Sequence, residues 1–102
     1  MLALRPTCEH CNRPLPPEST EAMICSYECT FCASCVGDVL GNVCPNCGGG
    51  FERRPVRPAV DRKGGNFLGK DPATSKVTHR PVDAEQHATL VAAVGAIPPA
   101  LR

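Results

Sequence analysis

Residues 25–35 read CSYECTFCASC and hold four cysteines within eleven positions. A Cys-x2-Cys pair lies on each side of this stretch, CEHC at residues 8–11 and CPNC at residues 44–47. All eight cysteines of the 102-residue chain therefore fall in a block of 40 residues, from Cys8 to Cys47. The chemistry of this block decides how the chain folds.

The chain has little material for an ordinary hydrophobic core, since it contains no Trp, one Tyr and three Phe beside 11 Pro and 9 Gly. A domain of about 40 residues usually needs disulfides, metal ions or a partner to stay folded. The first residues do not read as a signal peptide, and no apolar run approaches the roughly 18 residues of a membrane span. We therefore expect a cytoplasmic protein with reduced thiols and no membrane association. A disulfide framework in a secreted protein is the alternative.

The spacing of the cysteines is typical of structural zinc sites, in which four thiolates form a closed tetrahedral shell around each ion. Eight cysteines fill two such shells with none left over. The sequence thus predicts two Zn²⁺ as cofactors, and it predicts as ligands Cys8, Cys11, Cys25, Cys29, Cys32, Cys35, Cys44 and Cys47. An iron–sulfur electron carrier or a thiol redox sensor is the alternative, because the central cysteines echo a ferredoxin pattern.

Two ways of sharing the cysteines between the ions fit this spacing. A sequential scheme gives the first four cysteines to one ion and the last four to the other. An interleaved scheme closes longer loops, so that each ion ties distant segments together. Its first site is Cys8, Cys11, Cys32 and Cys35, and its second site is Cys25, Cys29, Cys44 and Cys47.

The order of the cysteines over about residues 8–48 resembles the RING finger, with cysteine at the position that often holds histidine. Phe31, Val39 and Pro45 also match the habits of that family. The resemblance implies the interleaved cross-brace and a small hairpin around Ile24–Phe31. We therefore expect a small, metal-dominated α+β fold, either RING-like or treble-clef.

The resemblance also implies a short helix from about Ala33 to Leu40, and the residues themselves support it. Val36, Val39 and Leu40 fall on one face of such a helix, and Gly41 followed by Asn is a common helix end.

Residues up to about Val82 also resemble a family of small uncharacterised bacterial proteins that carry a domain of unknown function. This resemblance implies a bacterial source and supplies no mechanism. The stretches that carry it are LRP at 4–6, LPP at 15–17, ICS at 24–26, CTFC at 29–32, VCPNCGG at 43–49 and RRP at 53–55.

A ubiquitin-ligase-type module is the alternative function that the RING resemblance raises. Ligases of that family bind their partner enzyme through four positions. In this sequence, those positions hold His10, Val39, Pro45 and Gly48. Only Val39 and Pro45 suit the role, because His10 is polar and Gly48 lacks a cation. A catalytic zinc would keep an open position, whereas every cysteine is assigned to a closed shell. We predict a protein that is not an enzyme.

Charge is distributed unevenly along the chain. Residues 1–50 carry two basic against five acidic side chains, a net −3, and residues 51–102 carry nine against five, a net +4. Eight thiolates on two Zn²⁺ would take the first half to −7, which disfavours contact with nucleic acid. We interpret the basic run as neutralising the acidic domain; it comprises Arg53, Arg54, Arg57, Arg62 and Lys63.

The last twenty residues predict a helix at about residues 84–95. Asp83 is a good N-cap, Gln86 follows three residues later, and Gly95 comes at the expected end. The helix is apolar on much of its surface, so it packs on its own domain, self-associates or docks on another protein. We interpret the two histidines of this region, His79 and His87, as surface residues.

These observations divide the chain into a two-zinc cysteine domain at residues 1–56, a Pro/Gly-rich extended segment at 57–82 and a tail at 83–102. The expected function is a zinc-binding, non-enzymatic interaction or scaffold module. Its expected partner is an unidentified protein.

Overall fold

A computed structural model describes residues 1–102. Three short antiparallel strands form one sheet: β1 at Ala22–Ile24, β2 at Thr30–Cys32 and β3 at Glu52–Arg53. The order is β2-β1-β3, with Met23 opposite Phe31 on one side and Arg53 on the other. The hairpin expected around Ile24–Phe31 is the β1–β2 pair. With two helices beside this sheet, the predicted small α+β class is confirmed.

Helix α1 follows β2 directly and consists of an α-helical turn at Ala33–Cys35 and a π-helical turn at Val36–Leu40. It ends at Gly41, whose φ of 59° is left-handed and suits a residue without a Cβ. Val36 and Leu40 are buried, whereas Val39 is 39% exposed. The expectation that Val39 shares their face is wrong, because the wider π turn brings residue i+4 rather than i+3 back to the same side.

The core depends on cysteine. Six of the twelve residues in the main hydrophobic cluster are cysteines. The only aromatic pair, Phe31 and Phe51, meets edge to face with ring centroids 5.5 Å apart. Leu15 and Leu40 complete the larger apolar side chains of the cluster. So small an apolar core is consistent with the expectation that other forces hold the domain together.

Arg54 lies inside the domain, and only 2% of it is exposed. Its guanidinium donates to the carbonyl oxygens of Arg5 at 2.9 Å, Leu15 at 3.2 Å and Pro16 at 3.0 Å. Burial lowers the pKa of Arg54. Within the basic run, Arg54 is thus a buried structural group, because a planar five-donor side chain can join three separate carbonyls in one place.

Residues 57–82 contain no helix or strand and run along the cysteine domain. Arg57 donates to the carbonyl oxygens of Asp71 at 2.7 Å and Leu2 at 2.8 Å. The Arg80 N–H donates to the Glu9 carbonyl at 2.8 Å. The segment is therefore fastened to the N-terminal residues by its backbone and by Arg57.

Helix α2 spans Ala84–Val94 and begins where its capping residue predicts. One carboxylate oxygen of Asp83 accepts hydrogen bonds from the N–H groups of Glu85 and Gln86, both at 3.0 Å. A short 3₁₀ turn follows at Pro99–Leu101. Neither helix has the length and apolar character that crossing a membrane requires.

Helix α2 packs against α1 of its own chain. His87 is only 5% exposed, and its Nε2–H donates to the Leu40 carbonyl at 2.8 Å. The interpretation of His87 as a surface residue is therefore wrong. Beyond the helix, Arg102 donates to the carbonyl oxygens of Asn42 and Gly48. At Gly50 a Cβ would lie 2.8 Å from Pro99, so only glycine lets the tail approach this closely.

Candidate metal centre

Four cysteines from two distant segments form the first cluster. The Sγ atoms of Cys8, Cys11, Cys32 and Cys35 all lie within 4.8 Å of one another. The Cys11 and Cys32 sulfurs are 3.8 Å apart. A tetrahedron with Zn–S bonds of about 2.3 Å has edges of about 3.8 Å, so this spacing suits a four-thiolate metal site. All eight cysteines of the chain are free thiols.

The second cluster combines the hairpin turn with the last Cys-x2-Cys pair. The Sγ atoms of Cys25, Cys44 and Cys47 lie within 4.8 Å of one another. Cys29 borders this group, since the thiols of Cys25 and Cys44 both act on its pKa. Each cluster thus takes one pair from each of two separated segments. The interleaved grouping is confirmed as the arrangement of the sulfurs, and either group could hold a metal ion.

The same backbone turn presents three of the four cysteine pairs. In each turn, an N–H three or four residues later donates back to the carbonyl of the first cysteine. These bonds run from Asn12 to Cys8 at 2.9 Å, from Glu28 to Cys25 at 3.1 Å and from Gly48 to Cys44 at 2.8 Å. We call these segments, residues 8–13, 25–29 and 44–49, the knuckle turns.

Left-handed backbone closes every knuckle turn. The donor residues Asn12, Glu28 and Gly48 have φ values of 62°, 68° and 77°. In each turn, the N–H of the first cysteine donates to the carbonyl of the residue that directly follows the left-handed residue, at 2.8 to 3.1 Å. Asn and Gly enter the left-handed region readily, whereas Glu28 does so at a cost. The repeated geometry turns both sulfurs of a pair toward one point.

The fourth pair is built differently. Cys32 is the last residue of β2 and caps the start of α1 with an extended backbone, φ −76° and ψ 155°. Cys35 lies in the first helical turn. The change from strand to helix brings these two sulfurs to the same side as the first knuckle turn.

Hydrogen bonds to sulfur favour thiolates in the second cluster. The Tyr27 N–H donates to Cys25 Sγ at 3.3 Å, and the Gly49 N–H donates to Cys47 Sγ at 3.4 Å. The Asn46 amide nitrogen donates to Cys29 Sγ at 3.4 Å. Donors aimed at sulfur stabilise its negative form, which is the form that binds metal.

Burial acts in the opposite direction on several thiols. It raises the pKa of Cys35 and Cys44 far above that of a free thiol, and it raises the pKa of Cys11 and Cys29 as well. Burial also acts on Cys32, but hydrogen bonds from Cys35 and the neighbouring thiols outweigh it and lower the pKa of Cys32. Packing four thiolates together, three of them buried in each cluster, requires a cation among them, since an uncompensated buried charge is costly.

Glu9 is a buried residue that sequence reasoning missed. It lies between two cysteines of the first knuckle turn and is only 1% exposed. Its Oε2 accepts hydrogen bonds from the Thr30 N–H and from Arg5 Nη1, the latter at 2.7 Å. Its backbone N–H donates to the Thr30 carbonyl at 3.0 Å. Glu9 therefore ties the first knuckle turn to β2, and nothing in the local sequence marks it for that role.

His10 is not one of the clustered ligands. Its Nδ1 accepts a hydrogen bond from the Val82 N–H at 2.9 Å, and its carbonyl oxygen accepts one from His79 Nε2 at 3.1 Å. His10 thus links the first knuckle turn to the start of the tail.

The structure defines a small α+β protein with two groups of four cysteines, each able to hold a metal ion. Residues 1–57 match a family described as "Protein of unknown function (DUF1272)", and the chain belongs to that family. The chain is also similar to an uncharacterized protein of Rhizobium meliloti (strain 1021), with 54% identity over 81 residues, which is 79% of this chain and 89% of the relative. The resemblance to a bacterial family of unknown function is thereby confirmed. No solved structure matches the chain.

Proposed function

We propose that the protein is a structural two-zinc module, with one Zn²⁺ in each cysteine cluster, that works as a non-enzymatic binding or scaffold protein. The observation that carries the proposal is the pairing of sulfurs from separated segments into two groups of four. Zinc suits these groups because it takes four thiolates tetrahedrally and undergoes no redox change.

The architecture around the proposed ions supports a RING-like cross-brace of the treble-clef kind. The first ion would join the knuckle turn at residues 8–13 to the strand-to-helix junction at Cys32. The second would join the hairpin turn at Cys25 to the knuckle turn at residues 44–49. Because each ion bridges segments more than a dozen residues apart, both ions together would hold the whole domain in one piece.

The positions through which RING ligases hold their partner enzyme do not support a ligase-type activity in this chain. His10 is engaged by Val82 and His79 of the same chain. Pro45 lines a cavity beside α2, together with Gln86 and Leu90 of that helix. The chain's own tail thus lies beside two of the four positions, His10 and Pro45.

Self-association through α2 also gains little support, because the helix already packs on α1. The side that faces away from the domain carries the exposed residues Glu85, Thr89 and Ala93. Little apolar area is left there for a stable dimer. We expect a monomer of 10.8 kDa in multi-angle light scattering, and a concentration-dependent dimer would contradict this part of the proposal.

Native mass spectrometry of freshly purified protein, with elemental analysis of the same sample, tests the metal assignment. We expect two zinc ions per chain. Iron with inorganic sulfide, visible absorbance, or a metal-free chain lighter by the hydrogens lost to disulfides would refute the proposal and move the protein to a redox class.

A further inference from the structure

A cleft of about 360 Å³ lies between the cysteine domain and the tail. Glu9 and Phe31 of the domain form one side, Asn46 comes from the last knuckle turn, and Arg80 and His87 come from the tail. Its volume is within the range of small-molecule sites.

One oxygen of Glu9 is left without a hydrogen-bond donor at this cleft. Oε2 is engaged by the Thr30 N–H and by Arg5. The nearest group to Oε1 is Arg80 Nη2 at 3.9 Å, on a side chain that is 68% exposed. A distance of 3.9 Å is too long for a hydrogen bond, and so exposed an ion pair contributes little. Oε1, on a side chain that is only 2% exposed, therefore lacks a close hydrogen-bond donor.

His87 provides a second unmatched acceptor on the same lining. His87 lines the same cleft, and its Nε2–H donates to the Leu40 carbonyl; Nδ1 is buried without a hydrogen-bond partner, and in the neutral imidazole it is an acceptor. Two acceptors without donors call for a ligand that donates. A primary ammonium is such a group, because it has three N–H donors and no acceptor.

Charge and shape also favour a cation. Glu9 and Asp83 both line the cleft, and Arg80 is the one Lys or Arg on its lining, so acidic side chains outnumber basic ones there. The clusters loaded with zinc would each carry −2, a contribution that rests on the proposed function. Phe31, Pro45 and Leu90 offer an apolar surface for an aliphatic stem. We propose that this cleft binds a primary ammonium on a short aliphatic stem, with Glu9 Oε1 as its main partner.

The test is an NMR titration of ¹⁵N-labelled protein that elemental analysis has shown to hold two zinc ions. We expect n-butylammonium chloride to give saturable shifts of the amides of Glu9, Asn46, Arg80 and His87. The neutral analogue n-butanol should bind at least about tenfold more weakly, since it lacks the charge-assisted hydrogen bond. Equal binding of both probes, or no saturable shift with the amine, overturns the inference and leaves the zinc assignment intact.

Substitutions sharpen the test. Arg80→Ala should tighten amine binding a few-fold, because the resident guanidinium no longer competes for Oε1, whereas Arg62→Ala, an exposed control, should leave it unchanged. Glu9→Gln should weaken binding about tenfold or more. If Glu9→Gln does not fold, the Arg80→Ala and Arg62→Ala pair decides, and equal affinities for these two variants and the parent protein refute the role of Oε1.

The ammonium could belong to a free amine or to a lysine of a partner protein. The peptide acetyl-Gly-Lys-Gly-amide and its norleucine counterpart distinguish these sources. Tighter binding of the lysine peptide than of butylammonium assigns the cleft to lysyl side chains. Binding of butylammonium alone assigns it to small amines.

Discussion

The cysteine domain and the tail reach their folded states by different means. The domain has few large apolar side chains, and half of its main cluster is cysteine, so its segments depend on what the sulfurs bind. The tail is held by conventional contacts: an N-capped helix, a buried histidine and arginine bonds to carbonyl groups. We infer that losing a cysteine unfolds the whole domain, whereas substitutions in the tail each lower the free energy of unfolding by a small amount.

The largest expected effect comes from breaking a cluster. Cys32→Ser or Cys44→Ser should each destroy one zinc site, empty the other with it and unfold the domain, because a structural zinc site contributes on the order of 10 kcal/mol, comparable to the whole stability of a small domain. Far-UV circular dichroism and the metal content measure this. Ser34→Ala, an exposed substitution between two cysteines of the first cluster, is the control. A cysteine variant that keeps its fold with two ions would contradict the comparison.

Arg54→Met tests a strong contact of the domain that does not involve sulfur. It would leave three buried or half-buried carbonyl oxygens without their donor, so we expect a loss of about 3 kcal/mol in the free energy of unfolding. Denaturant titration of the zinc-loaded protein gives this value. Arg53→Met, at the exposed neighbouring position, should change stability by less than about 0.5 kcal/mol. If Arg54→Met lowered the free energy of unfolding as little as Arg53→Met does, the three hydrogen bonds of Arg54 would not stabilise the domain.

A smaller effect is expected in the tail. Asp83→Ala removes the cap of α2 and should cost about 1 kcal/mol, and it should speed amide hydrogen exchange in Ala84–Val94 while leaving the cysteine domain protected. Asp83→Asn keeps a capping oxygen and should restore most of the protection. Faster exchange in the knuckle turns of Asp83→Ala would show that domain and tail unfold together.

The smallest effect is expected at the end of the chain. Arg102→Ala removes hydrogen bonds to the carbonyls of Ile97, Asn42 and Gly48. Because the group lies near the surface, the change in stability should stay below about 0.5 kcal/mol. Thermal melts of the variant and the parent protein should nearly overlap, and a drop of several degrees would place the chain end among the main supports of the last knuckle turn.

Much of the fold follows from local signals. The spacing of the cysteines and the RING resemblance located the hairpin and α1, and the cap at Asp83 located α2. These features depend on residues close together in sequence, whose turn and helix preferences act over a few positions.

The features that sequence reasoning missed all depend on distant partners. Arg54 contacts carbonyls 38 to 49 positions away, and His87 contacts one 47 positions away. Glu9 pairs with Thr30 across 21 positions. An arginine, a glutamate and a histidine are usually exposed, and only the assembled fold reveals that these three are buried.

The hairpin carries Cys25 and Cys29 at its turn and Cys32 at its end, so only two residues separate ligands of different clusters. Ordering β2 around one ion would also fix the direction from which the other ion is approached. Metal uptake should therefore be cooperative, with chains holding none or two ions and few holding one. A native mass spectrum taken at half the saturating zinc would display this as two separate populations, and a dominant single-ion peak would mean that the clusters fill independently.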